Sequence, residues 1–314
     1  MNKFKLQSYL LYIARLLSPM VSYFESRIYN NQKHESTYCP IFIIGAPRSG
    51  STILYQMLTH TLDCLYIDNL IYIFFNNLPF GFWVSDKIYG KRSHNSFHSK
   101  HGNTNSWHSP SECGGFWYRW FPKEKDFVDY GELSECSISA VRSNINSIMN
   151  KYEKNIIFKN LNAGLRIRVI KEIFPNAKFI FIRRDPLYTV QSLFIARKKK
   201  SISDMAWWSI KPRNYKEINK LSIYEKLTSQ VFHIEQQIVQ DLKAVSPENV
   251  FVIDYVDYNA RFHELEAFIE SKEKNDIDLT SFEFTNKLLL DIDEISLLEK
   301  KIKEYDWSSI EYDQ

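Results

Sequence analysis

Ile41-Phe42-Ile43-Ile44-Gly45-Ala46-Pro47-Arg48-Ser49-Gly50-Ser51-Thr52 is followed directly by Ile53-Leu54-Tyr55-Gln56-Met57-Leu58. The β-branched and aromatic run before Gly45 reads as a buried strand. The Gly/Pro/Ser stretch reads as a tight loop, and the residues from Ile53 repeat with helical periodicity. A strand, loop and helix in that order bring unpaired backbone N–H groups and the positive end of a helix dipole to one point, which suits an anion. Gly50 lets the backbone approach closely, Ser49, Ser51 and Thr52 offer hydroxyls, and Arg48 adds a full charge.

The spacing from Gly45 to Gly50 and Thr52 is that of G-x-x-x-x-G-K-[ST], with Ser51 in the lysine position. A nucleotide triphosphatase would normally need that lysine. The loop closely resembles the 5′-phosphosulfate loop of the sulfotransferases that use 3′-phosphoadenosine 5′-phosphosulfate (PAPS), which in many bacterial and carbohydrate members runs G-x-P-R-S-G-[ST]-[ST]. The resemblance implies an α/β, P-loop-like three-layer fold, with a mostly parallel central sheet flanked by helices and the ligand across the carboxyl ends of the strands. It also implies that Arg48, Ser49, Gly50, Ser51 and Thr52 bind the donor.

Further along, Asn155–Asn160 reads as a short strand ending at Lys159, and Leu165, Val169, Ile170, Ile173 and Phe174 follow at helical spacing. Ala177–Arg183 reads as another buried strand, so this stretch makes a parallel βαβ unit. The helix after it begins with Asp185 as cap and Pro186 in its first position. Ser192 lies about 9 Å along that helix at about 1.5 Å per residue, so only a long side chain such as Arg184 shares one anion with it. The pattern from Arg184 to Ser192 resembles the R-x-P…S motif that binds the 3′-phosphate in the same family. Lys159 resembles the lysine of a K-x-P turn that faces the site in some members, with Leu161 in place of the proline. Trp207-Trp208-Ser209-Ile210-Lys211-Pro212 resembles a W-x₃-K-P segment, which implies Trp207 and Lys211 as donor or acceptor contacts. Tyr255-Val256-Asp257-Tyr258 resembles the turn that closes the fold.

With 314 residues the chain can bury a large core, and it reads as one domain over 1–314, with an amphipathic helix within 1–38 and an acceptor or lid region inserted at 66–150. The net charge of +3 and the pI near 8.4 do not call for nucleic acid. Cys39, Cys64, Cys113 and Cys136 form no C-x-x-C pair and read as reduced thiols of a cytoplasmic protein. The first helix is too polar to span a bilayer. Its apolar face of Leu6, Leu10, Ile13, Leu16 and Leu17 packs on the domain or a partner subunit in one reading, and touches the inner membrane surface in the other. Oligomeric state is not readable from the sequence.

Between about Tyr66 and Tyr130 no clean period appears, and long irregular segments in enzymes commonly bind substrate. His94, His98 and His101 have metal-like spacing but no adjacent carboxylate or cysteine, so a solvated loop is the preferred reading. Pro110 at a helix start, with Glu112 behind it among aromatics, would hold a carboxylate at a partly desolvated helix end. In the family a Glu or His takes the acceptor proton, which implies Glu112 first and His108 second. Trp107, Trp117 and Trp120 would suit stacking on a sugar, hence a carbohydrate or glycolipid acceptor. The resemblance thus implies in-line sulfuryl transfer from PAPS to an acceptor hydroxyl or amine, with Arg48 and the loop amides neutralising charge on the bridging phosphate oxygen, 3′-phosphoadenosine 5′-phosphate (PAP) as product and no metal. A P-loop kinase-like enzyme and an inactive glycan-binding relative are the alternatives.

Overall fold

The computed structural model describes residues 3–29, 35–90, 92–97, 99–100, 103–275, 282, 284 and 286–312. In chain order the elements are α1 (Lys3–Tyr29), β1 (Pro40–Gly45), α2 (Ser51–Thr61), β2 (Leu65–Tyr66), α3 (Leu78–Tyr89), β3 (Ser99–Lys100), β4 (Asn103–Thr104), α4 (Gly114–Trp117) and α5 (Glu135–Tyr152). There follow β5 (Ile156–Lys159), α6 (Ile167–Ile173), β6 (Lys178–Arg183), α7 (Pro186–Lys199), α8 (Tyr215–Ile218), α9 (Ile223–Leu242), β7 (Val250–Asp254), α10 (Phe262–Ile269) and α11 (Ile292–Ile302).

Five strands form one sheet in the order β2-β5-β1-β6-β7, and every pairing in it is parallel. A parallel sheet is covered on both faces, which is why its strands are apolar throughout rather than alternating with polar residues. Along β1, Phe42 and Ile44 point into one apolar layer beneath α5, α6, α7 and α9, while Ile41 and Ile43 point into the other beneath α2 and α10. Neighbouring strands repeat the division, with Phe179 and Phe181 on the first side and Ile180 and Ile182 on the second. This is the P-loop-like α/β architecture with helices on both faces of the sheet. Because the strands run the same way, the segments that leave β1, β5, β6 and β7 gather along one edge.

Local chemistry sets the helix starts. The Asp185 carboxylate accepts the Leu187 amide at 2.8 Å and Pro186 takes the first position of α7, as its sequence predicts. Ser222 and Glu225 form a capping box at α9.

Three expectations change. The stretch from Tyr66 to Tyr130 holds the 12-residue α3, the 4-residue α4 and the paired two-residue strands β3 and β4, the last three too short for a period to register. Pro110 starts no helix: the Ser111 amide donates to Ile67 O at 2.7 Å and Asp68 bridges Pro110, so this segment is strapped in extended form to the chain leaving β2. On α1, Leu16 and Leu17 are exposed rather than packed, and polar contacts hold the opposite side of the helix.

Candidate active site

The loop after β1 is built on unusual backbone. Gly45 has φ +154°, and a Cβ there would lie 2.6 Å from Ile182 O on the neighbouring strand. Gly50 has φ +98°, and a Cβ there would meet the Tyr255 ring at 2.5 Å, so only glycine fits. Arg48 itself has φ +72°, an uncommon conformation for a residue with a side chain. No side chain caps α2 and its first turn holds no acid, which leaves the first-turn amides to an external acceptor.

These amides open onto a cavity of about 240 Å³, lined by Pro47, Arg48, Gly50, Ser51, Thr52 and Ile53 on one side. Glu112, Lys159, Leu161, Arg184, Trp208, Ser209 and Tyr255 complete it. Most of these stand just beyond a strand end: Arg48 after β1, Lys159 at the end of β5, Arg184 after β6 and Tyr255 after β7. Ser209, like Arg48, has φ +72°, and Cys113, beside Glu112, has φ +46°. Two lining residues, Arg48 and Ser209, and the neighbour of a third thus hold left-handed backbone.

A second cavity of about 380 Å³ shares Arg48 and Arg184 with the first and continues along α7 past Tyr188, Gln191, Ser192 and Lys199 to Lys287 and Leu289. Arg48 Nε donates to Ser192 Oγ at 3.1 Å. Arg184 donates from Nη1 to Arg48 O at 3.3 Å and from Nε to Asn286 Oδ1 at 3.0 Å, and its guanidinium lies 4.4 Å from the Tyr255 ring centre. Burial holds the Arg48 guanidinium below its ordinary pKa, and the Arg184 charge adds to this; Arg184 is lowered by burial too. Two crowded cations that form no ion pair among the described residues are what an anionic ligand would relieve.

Lys159 is 3% exposed, and its ammonium donates to Glu112 Oε1. A buried cation needs such a partner, so Lys159 fixes the Glu112 carboxylate at the cavity wall.

The sequence candidates therefore divide. Arg48, Gly50, Ser51, Thr52, Glu112, Lys159 and Arg184 meet in the first cavity, and Ser192 lies in the second. Ser49 is fully buried beneath the loop, with an Oγ that finds no partner among the described residues. His108 lines a different cavity, beside β2, where its Nδ1 lies 3.1 Å from the buried Asp68 carboxylate and its ring stacks on Tyr89. The Trp207 indole N–H donates to Ser209 O at 3.1 Å, and the Lys211 ammonium sits over Tyr215, so neither lines the cavity; Trp208 does. Trp117 is core, with its ring 5.1 Å from that of Phe158.

His94 is buried, its Nε2 2.8 Å from Thr59 Oγ1, and burial presses its pKa down to about 3. His98 and His101 lie outside the described residues. Among the described residues no group of three His, Cys, Asp or Glu stands ready to hold a metal ion. The basic run Arg197-Lys198-Lys199-Lys200 at the end of α7 reads in the sequence as a solvated helix end, but Arg197 is buried and donates to Ser203 O and Ala206 O, Lys198 pairs with Glu294 at 2.6 Å, and Lys199 lines the second cavity.

Sequence reasoning missed Gln191, Asn286 and Lys287. Both residues of 286–287 reach back to α7 and its approach: the Gln191 amide donates to Lys287 O at 2.9 Å, and Asn286 holds Arg184.

A glycine-bent loop leading into an uncapped helix, at the carboxyl edge of a parallel sheet, defines a P-loop-like α/β protein with a site suited to an anion. The model of the sulfotransferase family matches residues 40–264, and the chain belongs to that family of transferases. It is 27% identical over 164 residues to omega-hydroxy-beta-dihydromenaquinone-9 sulfotransferase Stf3 of Mycobacterium bovis and, equally, of Mycobacterium tuberculosis. The alignment covers 47% of this chain and 42% of those relatives, less than half their length. Among solved structures the fold is similar to sulfotransferase STF1 from Mycobacterium tuberculosis H37Rv, with a TM-score of 0.51 and 13% identity, over 94% of this chain and 84% of that one.

Proposed function

We propose that the chain transfers a sulfuryl group from PAPS to an acceptor hydroxyl. The observation that carries this reading is the pair of cavities joined at Arg48 and Arg184, each lined by cations and hydroxyls. PAPS has two separated anionic ends, and this donor set fits both. In this reading the α2 amides, Arg48 and Lys159 hold the phosphosulfate, while Arg184, Ser192, Lys199 and Lys287 hold the 3′-phosphate.

The donor supplies the sulfuryl group and a phosphate that can leave. Glu112 takes the acceptor proton as the acceptor oxygen bonds to sulfur and the bond from sulfur to the phosphate oxygen breaks. Arg48, Lys159 and the α2 amides meet the charge that builds on the departing oxygen. Glu112 is preferred to His108 as base because Glu112 alone of the two lines this cavity. Residues 66–150 supply Glu112 and form the acceptor side.

Trp117 is core and Trp107 and Trp120 are not among the lining residues, so of the tryptophans singled out in the sequence only Trp208 stands at the cavity. The acceptor is instead taken as a hydroxyl carried on a lipid or glycolipid, by likeness to relatives named for an ω-hydroxylated menaquinone. Calorimetry with PAP and with ATP plus Mg²⁺ tests the donor: binding of PAP but not of ATP supports the reading, and magnesium-dependent ATP turnover would replace it with a kinase. Mass spectrometry of lipid extracts with and without the gene tests the acceptor.

A further inference from the structure

We propose that α1 lies on an anionic bilayer surface through the face it turns away from the rest of the protein. On the inner side Val21 is buried, and Asn77 accepts from the Ser18 hydroxyl at 2.6 Å and donates to Ser22 and to Glu25. The Phe80 amide, in the first turn of α3, also donates to Glu25 at 3.0 Å. The inner face thus has its partners.

The outer face is apolar. Tyr9, Tyr12, Leu16 and Met20 are 55–63% exposed, and their spacing of three and four residues puts them in one stripe, flanked by Leu17 and Phe24. Exposed apolar residues scattered singly need no explanation, but a continuous stripe along a helix does.

Charge decides what covers it. Lys3, Lys5, Arg15 and Arg27 against the single acid Glu25 give this helix a formal charge of +3, equal to the net charge of the whole chain. Glu25 is also the residue turned inward, on Asn77 and Phe80. Arg15, the cation of this helix whose side chain is described, is exposed, and the helix's one acid is turned inward, while the rest of the chain is formally neutral. An apolar stripe with tyrosines and surplus cations matches the interface of a membrane that carries anionic lipid. Among the described residues no helix is long and apolar enough to cross a membrane, so the contact is peripheral. A second copy of this chain would offer the same surplus of positive charge, and like charges would repel.

Flotation of the purified full chain with phosphatidylcholine vesicles, with and without 30% phosphatidylglycerol, tests this directly. The chain is expected to float with the anionic vesicles and at least fivefold less with neutral ones. Leu16→Glu combined with Met20→Glu changes only exposed positions and is expected to cut the bound fraction at least tenfold. Arg15→Glu, also exposed, leaves the stripe intact and is expected to abolish the preference for phosphatidylglycerol; it decides the matter if the double variant fails to fold. Failure to float on anionic vesicles, or flotation unchanged in the variants, would overturn the assignment. So would a dimer in gel filtration that the double variant converts to a monomer, since a second copy would then own the stripe.

Discussion

Arg48 donates its Nε–H to the Ser192 hydroxyl at 3.1 Å, across 144 residues of chain. The loop after β1 and the helix after β6 are thereby joined by one guanidinium that borders both cavities. In the proposed reading each element holds one anionic end of the donor, and this contact fixes the two elements relative to each other.

Replacing Arg48 by Ala is therefore expected to weaken PAP binding about 100-fold, since hydrogen bonds to charged groups contribute about 1.5–3 kcal/mol and about 1.4 kcal/mol is tenfold. Arg48→Lys keeps the charge but loses the planar fork, and should recover only part of the loss. Isothermal titration reads both. An unchanged Kd in a folded Arg48→Ala protein would remove this residue from the donor site.

Glu112→Gln keeps the shape of the side chain but cannot accept a proton as a base. Turnover is expected to fall by about 10²–10⁴ while PAP affinity stays within about threefold, because the effect lies in proton transfer. His108→Ala is expected to leave turnover within about threefold, given that His108 faces the Asp68 cavity. The opposite pattern in the two variants would exchange their roles.

The features legible in the sequence are those set by local chemistry. Three apolar runs became β1, β5 and β6, and Asp185-Pro186 became the start of α7. The edge strand β2 has only two residues, too short for any period to register. Asn286 reaches Arg184 across 102 residues of chain, in a contact that no local pattern encodes. Arg197 stands in a basic run that reads as solvated, yet carbonyls of the following turn draw it inward. Sequence pattern thus located the loop and the strands, while long-range packing decided which of Glu112 and His108, and which of Trp207 and Trp208, reached the cavity.

Lys287 lines the cavity along α7 and not the other, so under the proposed function it separates the two ends of the donor. Lys287→Ala is expected to weaken PAP about tenfold, the cost of one charge-assisted contact of about 1.4 kcal/mol. The same substitution should leave adenosine 5′-phosphosulfate, which lacks the 3′-phosphate, within about twofold. Equal losses for both ligands in competition titrations would move the 3′-phosphate elsewhere.

Gly50→Ala combines a left-handed backbone, φ +98°, with a Cβ 2.5 Å from the Tyr255 ring. Relief requires the loop or Tyr255 to move, and Tyr255 also carries the Arg184 guanidinium. A stability loss of about 2 kcal/mol is expected in urea titration, together with loss of PAP binding. A variant as stable as the parent and unimpaired in binding would show that the turn is more yielding than its geometry suggests.

Glu235, in the middle of α9, is 2% exposed, and its Oε1 has no partner among the described residues. Burial pushes its pKa from 4.5 up to about 7, against the opposing Arg183 charge. The unfolded chain loses this proton near pH 4.5 and the folded chain only near 7. Below 4.5 both states hold the proton, and the group adds no penalty. Between the two values the folded state keeps a proton that the unfolded state has released, so stability falls as pH rises, and the penalty is complete above 7. At about 1.36 kcal/mol per unit it reaches at most about 3 kcal/mol. Glu235→Gln, which carries no charge at any pH, should therefore stabilise the protein at pH 8 and do so much less at pH 5. Urea denaturation at the two pH values measures the difference, and an equal effect at both would mean that Glu235 ionises in the folded protein as readily as in water.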